Sequence, residues 1–166
     1  TVIMYAYDEE NRLHISKNEG NSWVPSVRLP ESPWDVGMYV CPSNPKNMFI
    51  GELNAYKSKN GGLIWSKIND WQEYYKDIYG KLHADIMTIK EFRDKSGKPF
   101  ILNGNHGGLN YTEDYGQTHS NIGLFGLNVS QYYDVRTYPT DPYYVFAGSQ
   151  DQGQQRGYLT NEGASE

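Results

Sequence analysis

One short motif occurs three times along the 166-residue chain, as Ser16-Lys17-Asn18-Glu19-Gly20-Asn21-Ser22-Trp23, as Ser58-Lys59-Asn60-Gly61-Gly62-Leu63-Ile64-Trp65 and, weakened, as Thr112-Glu113-Asp114-Tyr115-Gly116-Gln117-Thr118-His119. Self-similarity at a few tens of residues constrains the fold more than any local propensity. Each repeat is then one supersecondary unit that buries its apolar face only by stacking on a neighbour, as in a solenoid or a propeller.

Other markers keep the same period. Gly51, Gly104 and Gly148 close the apolar runs Met48-Phe49-Ile50, Phe100-Ile101-Leu102 and Val145-Phe146-Ala147, with separations of 53 and 44 residues. Asp35, Asp85 and Asp134 are read as opening Val36-Gly37-Met38-Tyr39, Ile86-Met87-Thr88-Ile89 and Val135-Arg136-Thr137-Tyr138, with separations of 50 and 49. An offset of 97 relates Pro42-Ser43-Asn44-Pro45 to Pro139-Thr140-Asp141-Pro142, and it holds from Phe49 to Phe146. Each repeat therefore reads as strand, turn, strand ending in Gly, strand, Gly turn, strand.

Tyr, Trp, Val, Ile and Phe fill the apolar runs, and Gly, Pro, Asn, Asp and Ser crowd between them, which is strand and turn chemistry. The expected class is all-β: a β-propeller segment of three to four four-stranded blades. Blades fall near residues 1–30, 31–79, 80–126 and 127–166, the first and last incomplete, within a larger propeller. One stretch breaks the pattern. In Asn69 to Tyr79, Trp71, Tyr74, Tyr75 and Ile78 lie at helical spacing, so a short helix or an irregular loop is inserted there.

The repeated motif has a folding role. Asn18, Asn60 and Asp114 are placed to accept hydrogen bonds from the backbone of the turn that follows. Gly20, Gly62 and Gly116 allow the positive φ such a turn requires, and Trp23 and Trp65 pack beneath it. Ser16, Ser58 and Thr112 complete the pattern. With His119 in place of Trp, the third turn is expected to be the least well packed.

These segments resemble Asp-box, or BNR, repeats, the hairpin turns of sialidases, of xyloglucan-hydrolysing glycosidases and of the sortilin-family propeller. Gly104-Asn105-His106-Gly107-Gly108-Leu109 and Gly148-Ser149-Gln150-Asp151-Gln152-Gly153 are similar to the Gly-Asn-Asp-Gly-Gly and Gly-x-Gln-Asp-Asn-Gly segments of bacterial members. The resemblance implies a propeller and a secreted or cell-surface, bacterial setting. It does not choose between enzyme and binding module, since such boxes occur in both.

Sialidase chemistry needs an arginine cluster for the substrate carboxylate. Arg12, Arg28, Arg93, Arg136 and Arg156 are scattered, without an Arg-Ile-Pro segment. A xyloglucanase-like hydrolase needs two carboxylates across a groove, and Asp85, set in Leu82-His83-Ala84-Asp85, is the first candidate for one of them. A regularly repeated Asp is more simply a strand cap. His83, Asp85, His106 and Asp151 also form the one set that suggests a divalent cation, although no His-x-x-x-His spacing supports it. Without a cation the same residues, with Gln150, read as a polar lining for an uncharged ligand. The 15 Tyr and 4 Trp suit sugar rings as well as blade packing.

Net charge is −5 with a pI near 5.4 and no basic run, which argues against nucleic acid as a partner. No apolar segment approaches the roughly 20 residues that span a bilayer. Cys41 stands alone and has no internal disulfide partner. The expected function is non-catalytic binding of a glycan or protein, the rest of the propeller being a partner. The alternatives are part of a glycoside hydrolase whose second carboxylate lies outside this chain, and a structural subunit of a surface complex.

Overall fold

The computed structural model describes residues 2–33, 37–124, 132–150, 153–160 and 163–165. The chain is all-β, 50% strand and 6% helix, and divides into two compact units, Thr1–Phe125 and Gly126–Glu166. Unit 1 holds three antiparallel meanders. The first is β1 (Met4–Tyr7), β2 (Arg12–Ser16) and β3 (Val24–Arg28), and the second is β4 (Met38–Val40), β5 (Met48–Gly51), β6 (Ala55–Ser58) and β7 (Ser66–Lys67). The third is β8 (Ile86–Arg93), β9 (Pro99–Asn105), β10 (Gly108–Thr112) and β11 (Ser120–Asn121). Unit 2 is one meander of β12 (Tyr132–Tyr138), β13 (Asp141–Ser149), β14 (Gly153–Thr160) and β15 (Gly163–Ser165).

The repeated motif sets the register of the sheets in unit 1. Met4 faces Ser16, Met48 faces Ser58, and Ile101 faces Thr112, so the residue that opens each turn has an apolar partner at the same position. The turns share one hydrogen-bond scheme. Ser16 Oγ, Ser58 Oγ and Thr112 Oγ1 accept from the backbone N–H of Gly20, Gly62 and Gly116 at 2.9, 3.0 and 3.0 Å. Asn18, Asn60 and Asp114 each accept through Oδ1 from the N–H four residues on, at 2.9 Å in all three. The three glycines have φ of +87°, +84° and +76°, a region in which a Cβ is strained. Asn60→Ala would strand the N–H groups of Leu63 and Ile64. A loss of about 1–2 kcal/mol is expected, read as a lower denaturation midpoint at unchanged m-value.

The core lies between the sheets of unit 1. Successive strand residues point to opposite faces, and β5, buried at all four positions, shows the result. Ile50 joins Leu13, Leu29 and Tyr56 between the first and second sheets. Its neighbour Phe49 joins Cys41, Ala55, Leu82, Ile86, Ile89 and Ile101 between the second and third. Each such side chain contributes about 1.5–3 kcal/mol when fully buried. Burial, and then Glu91, pushes the Cys41 thiol up to about 12, so it packs as an inert apolar group.

Of the two alternatives for the inserted stretch the structure shows the short helix, a 3-10 helix, η1 (Trp71–Lys76), with a capping box in which Asp70 accepts from the backbone and Glu73 accepts from the Asp70 N–H. Two expectations change. Asp134 does not open a strand. It is the third residue of β12, exposed and 2.9 Å from Arg136 Nε. The third turn is not the loosest, because Gly116 is buried against Phe49 and Ile68 and the His119 ring nitrogens are shut off from solvent. Trp23, in the first turn, is the ring left 39% exposed. Packing follows what the neighbouring sheet supplies, not the turn's own sequence.

Candidate functional site

The expected site residues divide between the two units. His83, Asp85 and His106 belong to unit 1 and Gln150 to unit 2, while Asp151, like Asp35, lies outside the described residues. In unit 2 the Gln150 side-chain oxygen accepts from the Tyr133 hydroxyl.

Asp85 immediately precedes β8, and its φ is +62°. Asp is among the few residues with a Cβ that enter this region readily. His106 sits in the two-residue turn between β9 and β10, where Asn105 pairs with Gly108. The turn is braced from below. Asn105 Oδ1 accepts from Gly107 N at 2.9 Å, and Asn105 Nδ2 donates to Asn103 and Asn110. The Gly107 carbonyl accepts from Asn121 Nδ2 at 3.0 Å. The His106 N–H donates to the Ala84 carbonyl at 3.3 Å, and His106 Nδ1 lies 2.9 Å from Asp85 Oδ2. The two side chains are 22% and 26% exposed. Carboxylate and imidazole are therefore brought together at one end of the third sheet, on a backbone fixed by buried amides.

His83 has a different place from the one expected. At 3% exposure it is buried beneath η1 and does not line an open surface. Its Nδ1 is 3.2 Å from the Ala84 carbonyl, which can only accept, so Nδ1 carries the proton and Nε2 accepts from the Tyr75 hydroxyl at 3.1 Å. Tyr74 stands edge-on to the His83 ring with centroids 4.7 Å apart, and burial pushes its phenol pKa up. A Cβ on Gly107 would come within 2.5 Å of His83 Cβ and 2.9 Å of the Tyr74 ring, so this position has room only for glycine.

Sequence reasoning missed the asparagines. Asn69 clamps Leu82 through both its N–H and its carbonyl, at 3.1 and 3.0 Å, and Asn54 Oδ1 accepts from Trp71 N. Together they pin both ends of the loop that carries η1. Asn105 and Asn121 brace the His106 turn. Asn105 stands beside Gly104 at a turn, but Asn54, Asn69 and Asn121 carry no such mark, and only the fold shows which amides turn inward. Asn110 opens an Asn-Tyr-Thr glycosylation pattern, yet it is fully buried in β10 and closed to modification in the folded chain.

Among the described residues, no group of three or more His, Cys, Asp or Glu side chains is arranged to hold a metal ion. No helix among them is long and apolar enough to cross a membrane. What the arrangement offers is an acceptor and donor pair at a sheet end beside a cluster of aromatic rings.

The three- and four-stranded antiparallel meanders, with the three sheets of unit 1 packed face to face, match a β-propeller fold. No protein-family model matches the chain, and no curated protein matches it. Solved structures match in fold. The GH74 enzyme of Niastella koreensis aligns at a TM-score of 0.52 and 16% identity, over 96% of this chain and 27% of that one. The GH74 xyloglucanase from Xanthomonas campestris aligns at 0.50 and 15%, over 90% of this chain and 25% of that one. The chain thus spans about a quarter of the length of these propellers.

Proposed function

We propose that the chain is part of a secreted or cell-surface bacterial propeller of Asp-box repeats, with blades near residues 1–30, 31–79, 80–126 and 127–166, and that it binds a ligand without catalysis. The binding surface in this reading is the end of the third sheet that carries Asp85 and His106. Gln150 of unit 2, and Asp151, which lies outside the described residues, are further candidate contacts, and the ligand is a glycan or a protein. The observation that carries the reading is the Asp85–His106 pair itself. It is partly exposed, held at 2.9 Å, and seated at a strand start beside a hairpin turn braced by buried amides. A carboxylate already engaged by an imidazole suits the holding of hydroxyl or amide groups.

The second reading is part of a glycoside hydrolase, with Asp85 as one carboxylate and the other outside this chain. Its support is the partial exposure of Asp85 at a strand start. A neutral-glycan array, paired with a β-glucan hydrolysis assay on wild type and Asp85→Asn, separates the two. Asn tolerates the +62° φ, so the fold is retained. Loss of one charge-assisted contact is expected to weaken binding about tenfold or more, with the melting temperature little changed. Hydrolysis by wild type that disappears in Asp85→Asn would establish the enzyme reading instead, and array silence would leave a protein partner.

A further inference from the structure

We infer that the exposed ring of Tyr75 is a stacking platform for a neutral sugar at this site, and that buried His83 is the positioning residue that holds the platform in place. The inference rests on the ligand-binding reading above and adds the class of ligand and the residue that receives it.

Tyr75 is 58% exposed, yet it is not a loose surface ring. Its hydroxyl is tied to His83 Nε2 at 3.1 Å. Three rings stand nearly perpendicular to it: Trp71 at 6.1 Å and 80°, Tyr74 at 5.6 Å and 82°, and His83 at 5.6 Å and 75°. Edge-to-face contacts of this kind orient a ring as well as bury it. The supports are themselves fixed. His83 abuts Gly107, Tyr74 reaches the Gly107 carbonyl at 3.5 Å, and η1 is capped at Asp70.

An aromatic side chain needed only to cover the core would present its faces inward and leave its hydroxyl in water. Here the hydroxyl is directed inward to a buried acceptor while the residue as a whole stays 58% exposed. That is the arrangement a sugar requires, because its axial C–H groups pack on a π face and the entropy of orienting the ring is already lost in the free protein. The hydroxyls of a stacked sugar need partners. His83 is followed after one residue by Asp85, and Gly107 is preceded by His106, so the platform adjoins the carboxylate–imidazole pair through both chain segments. A net charge of −5 opposes anionic sugars and favours a neutral one.

Cellotetraose is the probe, with binding to the full chain measured by calorimetry and folding checked by circular dichroism and thermal melting. Tyr75→Ala is expected to weaken binding at least tenfold. His83→Gln keeps an acceptor for the hydroxyl and should stay within about threefold of wild type, whereas His83→Leu should lose about fivefold or more. Rescue by glutamine separates positioning from a merely structural role. Unchanged affinity in Tyr75→Ala, with affinity lost in Asp85→Asn, overturns the platform while the binding site stands. Failure of wild type to bind cellotetraose overturns the inference, and silence across the neutral-glycan array overturns the glycan reading beneath it. If Tyr75→Ala does not fold, tyrosine-selective carbon NMR of wild type decides: a ring shift at Tyr75 on adding cellotetraose supports the platform, and no shift overturns it.

Discussion

Gly51→Ala is expected to lower the stability of unit 1 by about 3 kcal/mol, near the upper end for an overpacked core. Gly51 ends β5 on the face turned toward the third sheet. A methyl group there would lie 2.4 Å from Ile86 Cγ2 and 2.7 Å from Ile86 Cβ. Rotating the Ile86 side chain can move the Cγ2 atom but not the Cβ, so relief requires backbone movement. The backbone is held in place, since the Ile86 N–H donates to the Glu52 carbonyl at 2.8 Å and the Gly51 N–H to the Gly37 carbonyl at 2.7 Å. Separation of the two sheets would also open the cluster of Phe49, Leu82, Ile89 and Ile101. In thermal melting the loss corresponds to a drop of about 10 °C for a chain of this size. Gly148→Ala is the matched control. Among the described residues no atom lies within 4 Å of a Cβ at that position, so a change of less than about 0.5 kcal/mol is expected. Equal effects of the two substitutions would show that the close approach of Gly51 to Ile86 is not what limits this position.

Stability is expected to fall by about 3 kcal/mol as pH is lowered from 6.5 to 4, and His119→Phe should abolish that loss. Burial, and then the Lys57 ammonium, push the His119 pKa down to about 4 from an ordinary 6.5. The groups that act on it are Lys57 and Lys81, which oppose its protonation, and Asp114, which favours it. Both ring nitrogens are buried without a close hydrogen-bond partner, so Asp114 and the Gly116 backbone offset only part of the cost of charging the ring. The sign follows from where the proton goes. Between pH 6.5 and 4 the unfolded chain binds a proton at His119 that the folded chain does not, so stability decreases through this window and is fully present above it. The size follows from a pKa of about 4 in the folded chain against 6.5 in the unfolded one, at 1.36 kcal/mol per pH unit. Chemical denaturation of wild type and His119→Phe at several pH values tests it. At pH 7 the variant should match or exceed wild type, because two unsatisfied polar atoms are removed together. A wild-type curve that is flat from pH 6.5 to 4.5, or an undiminished slope in His119→Phe, would rule this origin out.

The two cases show what could be read from residue order. Gly51, Gly104 and Gly148 are equivalent in sequence, and the period they keep belongs to a real register. Among the described residues Gly51 has Ile86 of the next sheet against it, Gly104 meets Thr88 of its own sheet and Gly148 meets nothing, because tightness is set by residues distant in the chain. Asp85 was legible as a site candidate from its place before an apolar run. Its grouping with His106 was also an expectation from sequence, but the direct 2.9 Å contact, with buried His83 left out of it, needs β8 and the β9–β10 hairpin side by side. His83 was misjudged for the converse reason: from sequence a polar residue beside Asp85 looks exposed, whereas η1 covers it. The loose third turn expected from His119 failed likewise, because Phe49 and Ile68 of the second sheet pack against its glycine.

Sequence alone therefore determined the turns, their hydrogen-bond scheme and the strand order that follows from them. Those interactions close within about eight residues, and the identities of Ser, Asn or Asp, Gly and Trp carry their geometry. Tertiary structure decided which face of each strand is buried, which glycines have no room for a Cβ, that His83 is buried while His106 is partly exposed, and that Tyr75 is tied to His83. These depend on sheet-to-sheet packing, where a side chain's surroundings come from residues tens of positions away.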